Sequence, residues 1–225
     1  MKASRGLLAG LTVLAAFALT SCSDSKKDAG TTPSTTTSSS APTVAESSST
    51  PIPTASTPAL TPLPTPSTAW PTPKVTGAPA DDAPLAERIT FAISKQTQVA
   101  AGRAAKTTVK CPGIDKVETA GQHTLDCTVT YGGKPFTGKL TVDAKQYSAS
   151  YKFTSAKVAI VRAKVIDAVL RAAPGAAKVT CELDEIDVVA TAGPAIKCDV
   201  TTTANAVQPY QAQVTGTGKV QVEKA

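Results

Sequence analysis

Leu125-Asp126-Cys127-Thr128-Val129-Thr130-Tyr131-Gly132-Gly133-Lys134-Pro135-Phe136 is the stretch on which the fold turns. Leu125, Cys127, Val129 and Tyr131 alternate with Asp126, Thr128 and Thr130, the period of a strand buried on one face. Gly132-Gly133 then signals a two-residue hairpin, because both turn positions need positive φ. The return strand brings Phe136, Leu140 and Val142 to the inward side.

The same pattern recurs about seventy residues later. Leu125-Asp126-Cys127-Thr128-Val129 is answered by Ile196-Lys197-Cys198-Asp199-Val200, and Lys134-Pro135-Phe136 by Gln208-Pro209-Tyr210. Upstream, Val109-Lys110-Cys111 is answered by Val179-Thr180-Cys181. The second return strand carries Tyr210, Ala212 and Val214, after a longer turn from Thr203 to Gln208. Before each first cysteine lies a segment of helical period: Leu85, Ile89, Ala92, Ile93 and Val99, then Val158, Val161, Val165, Val169 and Leu170. Asp82 and Ser155 stand where N-terminal signals belong, and Ala173-Pro174-Gly175 stops the second helix.

The expectation is an α+β fold of two tandem repeats, residues 81–153 and 154–225. Each has one helix covering a face of about four antiparallel strands. Units this small need a covalent staple. Setting Cys22 aside, four cysteines remain, and four allow three pairings. The repeat argues for local bridges, Cys111 to Cys127 and Cys181 to Cys198, each closing a loop that contributes roughly 3 kcal/mol. A four-cysteine metal site would want the short Cys-x2-Cys spacing, which is missing, so no metal and no cofactor are expected.

Upstream of residue 81 the character changes. Residues 23–80 are Thr, Ser, Pro and Ala with little else, as in Leu60-Thr61-Pro62-Leu63-Pro64-Thr65-Pro66. Such composition buries too little apolar surface to offset its entropy, so residues 22–80 read as a disordered linker. Its prolines favour extended geometry at roughly 3.1 Å per residue, a reach of at most about 180 Å, and its composition suits an O-glycosylated stalk. Trp70, the single tryptophan, reads there as a solitary aromatic without a role.

Residues 1–21 combine basic Lys2 and Arg5, an apolar stretch from Leu7 to Leu19, and small residues Thr20-Ser21 before Cys22. That order is a secretory signal, and the apolar stretch is shorter than the roughly 20 residues that span a bilayer as a helix. Leu19-Thr20-Ser21-Cys22 resembles the lipobox of bacterial lipoproteins, whose cysteine is acylated and becomes the mature N-terminus. The resemblance implies lipidation of Cys22 with a diacylglyceryl group, whose two acyl chains are enough for stable anchoring at the extracytoplasmic face of the cell membrane.

Together, the lipobox, the Ser/Thr/Pro linker, Val109-Lys110-Cys111-Pro112, Cys127 and Gly133-Lys134-Pro135-Phe136 resemble a family of actinobacterial lipoproteins with a small domain of unknown function. In the second unit Glu182 stands where that pattern has proline, and Val207-Gln208-Pro209-Tyr210 replaces the glycine turn. The resemblance implies a structural disulfide and a cell-surface address, and carries no catalytic residues.

Little in the chain points to chemistry. His123 is the only histidine and follows Gly121-Gln122 in an expected turn; no Gly-x-Ser-x-Gly accompanies it. Glu182, Asp184, Glu185 and Asp187 are the candidates for weak calcium binding or paired acid/base work, against the wet face of a strand. The precursor charge is +6, and removing Lys2 and Arg5 with the signal leaves +4. Arg103, Lys106, Lys110 and Lys116 form a basic stretch suited to an anionic wall polymer or lipid headgroups. Nucleic acid is disfavoured, because the aromatics form no stacking motif. Tyr147, Tyr151 and Phe153 are expected in the sheet core or at the seam between the units. The expected function is non-enzymatic: a binding or adaptor module for an envelope protein or wall polymer. An inhibitor of an extracellular enzyme is the alternative, by analogy with the two-repeat beta-lactamase inhibitory proteins. A hydrolase is third.

Overall fold

Residues 58–225 are described by a computed structural model; the expected signal segment, Cys22 and the expected linker through residue 57 lie outside the described residues. Helix α1 (Leu85–Ala101) leads into strand β1 (Thr107–Lys110), a short 3-10 helix (Ile114–Glu118), and strands β2 (Gly121–Tyr131), β3 (Lys134–Lys145) and β4 (Ser148–Thr154). Strand β5 (Lys157–Val161), helix α2 (Arg162–Ala172) and strands β6 (Ala176–Cys181), β7 (Ile186–Ala190), β8 (Ile196–Thr202), β9 (Val207–Val214) and β10 (Val220–Lys224) complete the chain. One antiparallel sheet runs β1-β2-β3-β4, a second β6-β8-β9-β10, and β5 pairs with β7 in a separate ribbon. The class is α+β, with two disulfides.

The opening hairpin forms in the expected register. Tyr131 faces Lys134 across Gly132 (φ 54°) and Gly133 (φ 87°), both in the left-handed region that glycine tolerates. Cys127, Val129, Tyr131, Phe136, Leu140 and Val142 are buried, while Leu125 is half-buried. Ile196, Cys198, Val200, Tyr210, Ala212 and Val214 are likewise buried in the second sheet. The bridges are Cys111–Cys127 and Cys181–Cys198. Cys181 and Cys198 are direct partners across β6 and β8; Cys111 immediately follows Lys110, whose partner Thr128 is next to Cys127.

Helix α1 buries Ile89, Ile93, Thr97 and Ala101, but Val99 points outward at 37% exposure. Polar Thr97 and Gln98 are tolerated inside because Thr97 Oγ1 donates to Ile93 O, and Gln98 Oε1 accepts from the Ala105 N–H. Asp82 does not cap this helix. Its first turn uses the carbonyl of Pro84, and Glu118 reaches over from the 3-10 helix to accept the Ala86 N–H.

The second expected helix is corrected at its start. Residues 157–161 are a strand, and α2 begins at Arg162. Ser155 instead ties a turn: its Oγ donates to Thr137 O and accepts the Lys157 N–H. Strand β5 is apolar on both sides, as a strand buried on both faces must be. Ala159 and Val161 belong to the core of the first sheet, with Ile89, Ile93 and Tyr131. Val158 and Ile160 belong to the core of the second, with Val165, Val169 and Tyr210. Its partner β7 does likewise, Ile186 and Val188 packing on the first core and Val189 on the second. The described residues therefore form one compact unit around a shared ribbon.

Two further expectations are corrected. Tyr147 is 91% exposed and Tyr151 45%, so of that aromatic group only Phe153 packs against the core, over Gly138. And although residues 58–80 hold no helix or strand, the part from Pro58 to Trp70 is a strap bonded to the body. The Leu60 N–H donates to Thr203 O (3.1 Å), the Leu63 N–H to Ala176 O (2.6 Å), and Asn205 Nδ2 to Pro58 O (3.3 Å). Trp70 packs against the first core.

Candidate functional site

Of the basic stretch Arg103, Lys106, Lys110 and Lys116, the arginine is ion-paired and the three lysines are exposed. Arg103 donates to Glu185 Oε1 at 2.8 Å, from the end of α1 to the loop before β7. Lys106 is exposed just before β1, Lys110 is exposed at its end, and Lys116 is exposed on the 3-10 helix. The acidic run has a structural task. Glu185 holds Arg103, Asp184 accepts from Lys134 Nζ at 2.8 Å, and Asp187 Oδ1 accepts the Val188 N–H. Hydrogen bonds from Lys134 and Arg103 hold the Asp184 and Glu185 carboxyls below the ordinary carboxylate range, and the Arg103 guanidinium is raised in turn by Glu185. Among the described residues no three His, Cys, Asp or Glu side chains gather as a metal site. His123 is not in the expected turn but in β2, opposite Val142, with Nε2 2.8 Å from Thr119 O.

A different constellation forms where the strap, α1, α2 and the β9–β10 turn converge. Helix α1 ends in a left-handed Gly102 (φ 88°), which leaves its last carbonyls free. Trp70 Nε1–H donates to Gly102 O at 2.7 Å, and Lys164 Nζ donates to Ala100 O at 2.7 Å. Glycine is required at position 102 by contact as well as conformation, since a Cβ there would sit 2.6 Å from both Lys164 Cδ and Trp70 Nε1. Gly218 seats the β9–β10 turn just as closely, a Cβ there meeting the Ala100 carbonyl.

Between these elements lies a groove of about 480 Å³ lined by Trp70, Val99, Lys164, Asp167, Arg171 and Lys219, among others. Asp167 and Arg171 are one turn apart on α2 and joined through Asp167 Oδ2, at 2.9 Å from Arg171 Nε and 2.6 Å from Nη2. Lys164 is half-buried, and burial holds its ammonium below the ordinary lysine range. Among the described residues no carboxylate lies within ion-pairing distance of it. A second cavity of about 250 Å³ sits between α1 and the segment entering β5, lined by Gln96, Phe136, Phe153, Lys157 and Thr217 among others.

The sequence reading missed this groove. Its one available signal was Trp70, set in a segment whose average composition argued for no structure at all. Among the described residues no helix is long and apolar enough to cross a membrane. No protein-family model, curated protein or solved structure matches the chain.

Proposed function

We propose that this chain is a membrane-anchored extracytoplasmic lipoprotein, acylated at Cys22, whose body is a non-enzymatic binding module for an anionic component of the cell envelope. The observation that carries the anchor is the order of the N-terminus: a basic start, an apolar stretch too short to span, Leu19-Thr20-Ser21-Cys22, then a Ser/Thr/Pro segment. Two buried acyl chains are sufficient for lasting attachment where one is marginal.

The binding role is supported by what the polar groups do. Asp184, Glu185, Lys134 and Arg103 are engaged in ion pairs, whereas the groove at Trp70 holds cations in excess of its one carboxylate. A tandem-repeat origin is supported by a shared order of elements. Helix, edge strand, bridged cysteine, long hairpin and return strand follow one another in 85–154 and again in 162–224.

Fractionation of cells expressing the full chain tests the reading. The wild type is expected with membranes and Cys22→Ala in the soluble extracytoplasmic fraction. Undiminished membrane retention of Cys22→Ala overturns the anchor.

A further inference from the structure

We propose that the groove between Trp70 and α2 is a binding site for a sugar ring carrying a single anionic group, a carboxylate or a phosphate. This rests on the envelope-binding reading and names the ligand class.

The groove excludes the other classes one by one. At about 480 Å³ it has the size of a small-molecule or single-residue subsite. A purely apolar occupant would cover Lys164, Asp167, Arg171 and Lys219 without meeting their charge. A polyphosphate would satisfy the cations but brings its charge against Asp167 and makes no use of an indole. A neutral sugar would leave Lys164 and Lys219 unanswered.

A sugar with one acidic substituent uses every part. Its apolar C–H face suits an aromatic side chain, and Trp70 is held ready by its bond to Gly102 O and its packing on the first core. Among the described residues the Asp167–Arg171 pair is joined through Oδ2 alone, which leaves Oδ1 and Nη1 for ring hydroxyls. The anionic group meets Lys164 and Lys219, which together with Arg171 outnumber the one carboxylate by two. Lys164 spends one N–H on Ala100 O and keeps two. An anion beside it restores the favourable environment that burial has taken away, which lifts its proton affinity on binding.

Trp70 is the only tryptophan, so its fluorescence reports on this groove alone. The full-length Cys22→Ala chain is titrated with tetragalacturonic acid, glucose 1-phosphate, maltotetraose and inorganic tripolyphosphate. The expected result is a saturable change with one or both acidic sugars, about tenfold tighter than with maltotetraose or tripolyphosphate. The acidic sugar that binds identifies carboxylate or phosphate as the recognised group. Lys219→Gln, at an exposed turn position, and Lys164→Met, which keeps the packed stem, each weaken binding about tenfold. Binding to the wild type takes up protons in alkaline buffer and weakens as pH rises through the Lys164 pKa; Lys164→Met loses both effects.

Equal binding of maltotetraose overturns the anionic requirement, and equal binding of tripolyphosphate overturns the sugar. No fluorescence change with either acidic sugar overturns the site. That failure is separable from failure of the anchor, which is read by fractionation and does not depend on the groove.

Discussion

The two disulfides enclose loops of nearly equal length, with separations of 16 and 17 residues, yet the loops do different work. Between Cys111 and Cys127 the chain makes a 3-10 turn that drops Val117 into the core beside it and lends Glu118 to the start of α1. Between Cys181 and Cys198 it makes β7, which leaves its own sheet, pairs with β5 and packs on both cores. The first loop closes a local structure; the second holds the two sheets together. One covalent frame can thus serve a self-contained turn or a seam, and the residues inside the loop decide which.

The most severe way to break this contrast is to weaken the seam from β5. Ile160 is fully buried in the second core, while its neighbours Ala159 and Val161 serve the first. Ile160→Ala is expected to cost about 2–5 kcal/mol. Because the ribbon is shared, urea unfolding followed by Trp70 fluorescence and by far-ultraviolet circular dichroism should shift together. If Trp70 on the first core keeps its midpoint while the dichroism transition splits, the two sheets unfold independently and the seam is not shared.

Removing the bridges one at a time sharpens the contrast. Replacing both cysteines of either pair by serine is expected to cost roughly 3 kcal/mol, since the closed loops match in length. Hydrogen exchange should then separate them. Without Cys111–Cys127, amides of 114–118 are expected to lose protection, because Val117 packing and the Glu118 bond to the Ala86 N–H are then the main ties of this turn to the body. Without Cys181–Cys198, amides of 186–190 keep theirs, because five register pairs with β5 remain. The reverse pattern would mean that the ribbon depends on its bridge.

These contrasts mark where the sequence was legible. The Leu125–Phe136 hairpin announces itself because alternation and Gly132-Gly133 are local and agree. The bridges followed from the recurrence of the cysteine spacing. Val158 and Val161 misled, because with Val165 and Val169 they fall at helical spacing, while the unbroken apolar run 158–161 is equally a strand buried on both faces. The groove was hidden for another reason. Composition is an average, and a strap held at a few backbone atoms and one indole hardly alters it. The acidic run reads as the wet side of a strand, but only Asp187 lies in β7; Glu182, Asp184 and Glu185 are exposed in the loop before it. Their partners are 50 and 82 residues away, beyond any local pattern.

Those two pairs give the smallest expected effect and the finest test of the seam. Exposed ion pairs contribute little to stability. Their value here is directional. The Asp184 and Glu185 carboxyls are held below their ordinary range by Lys134 and Arg103, so the folded state binds their protons less readily than the unfolded state. The resulting stabilisation is fully present above the unfolded carboxylate pKa and disappears as pH falls through the folded values. Asp184→Asn with Glu185→Gln should therefore unfold at slightly lower urea than the wild type at pH 7. As pH falls through the folded values the two proteins should converge, because the wild-type carboxyls become neutral as well. A difference that persists unchanged into acid would assign the contribution to hydrogen bonding rather than charge. A difference absent at pH 7 would leave the seam to Ile186, Val188 and Val189 alone, making it an apolar joint with charges only at its rim.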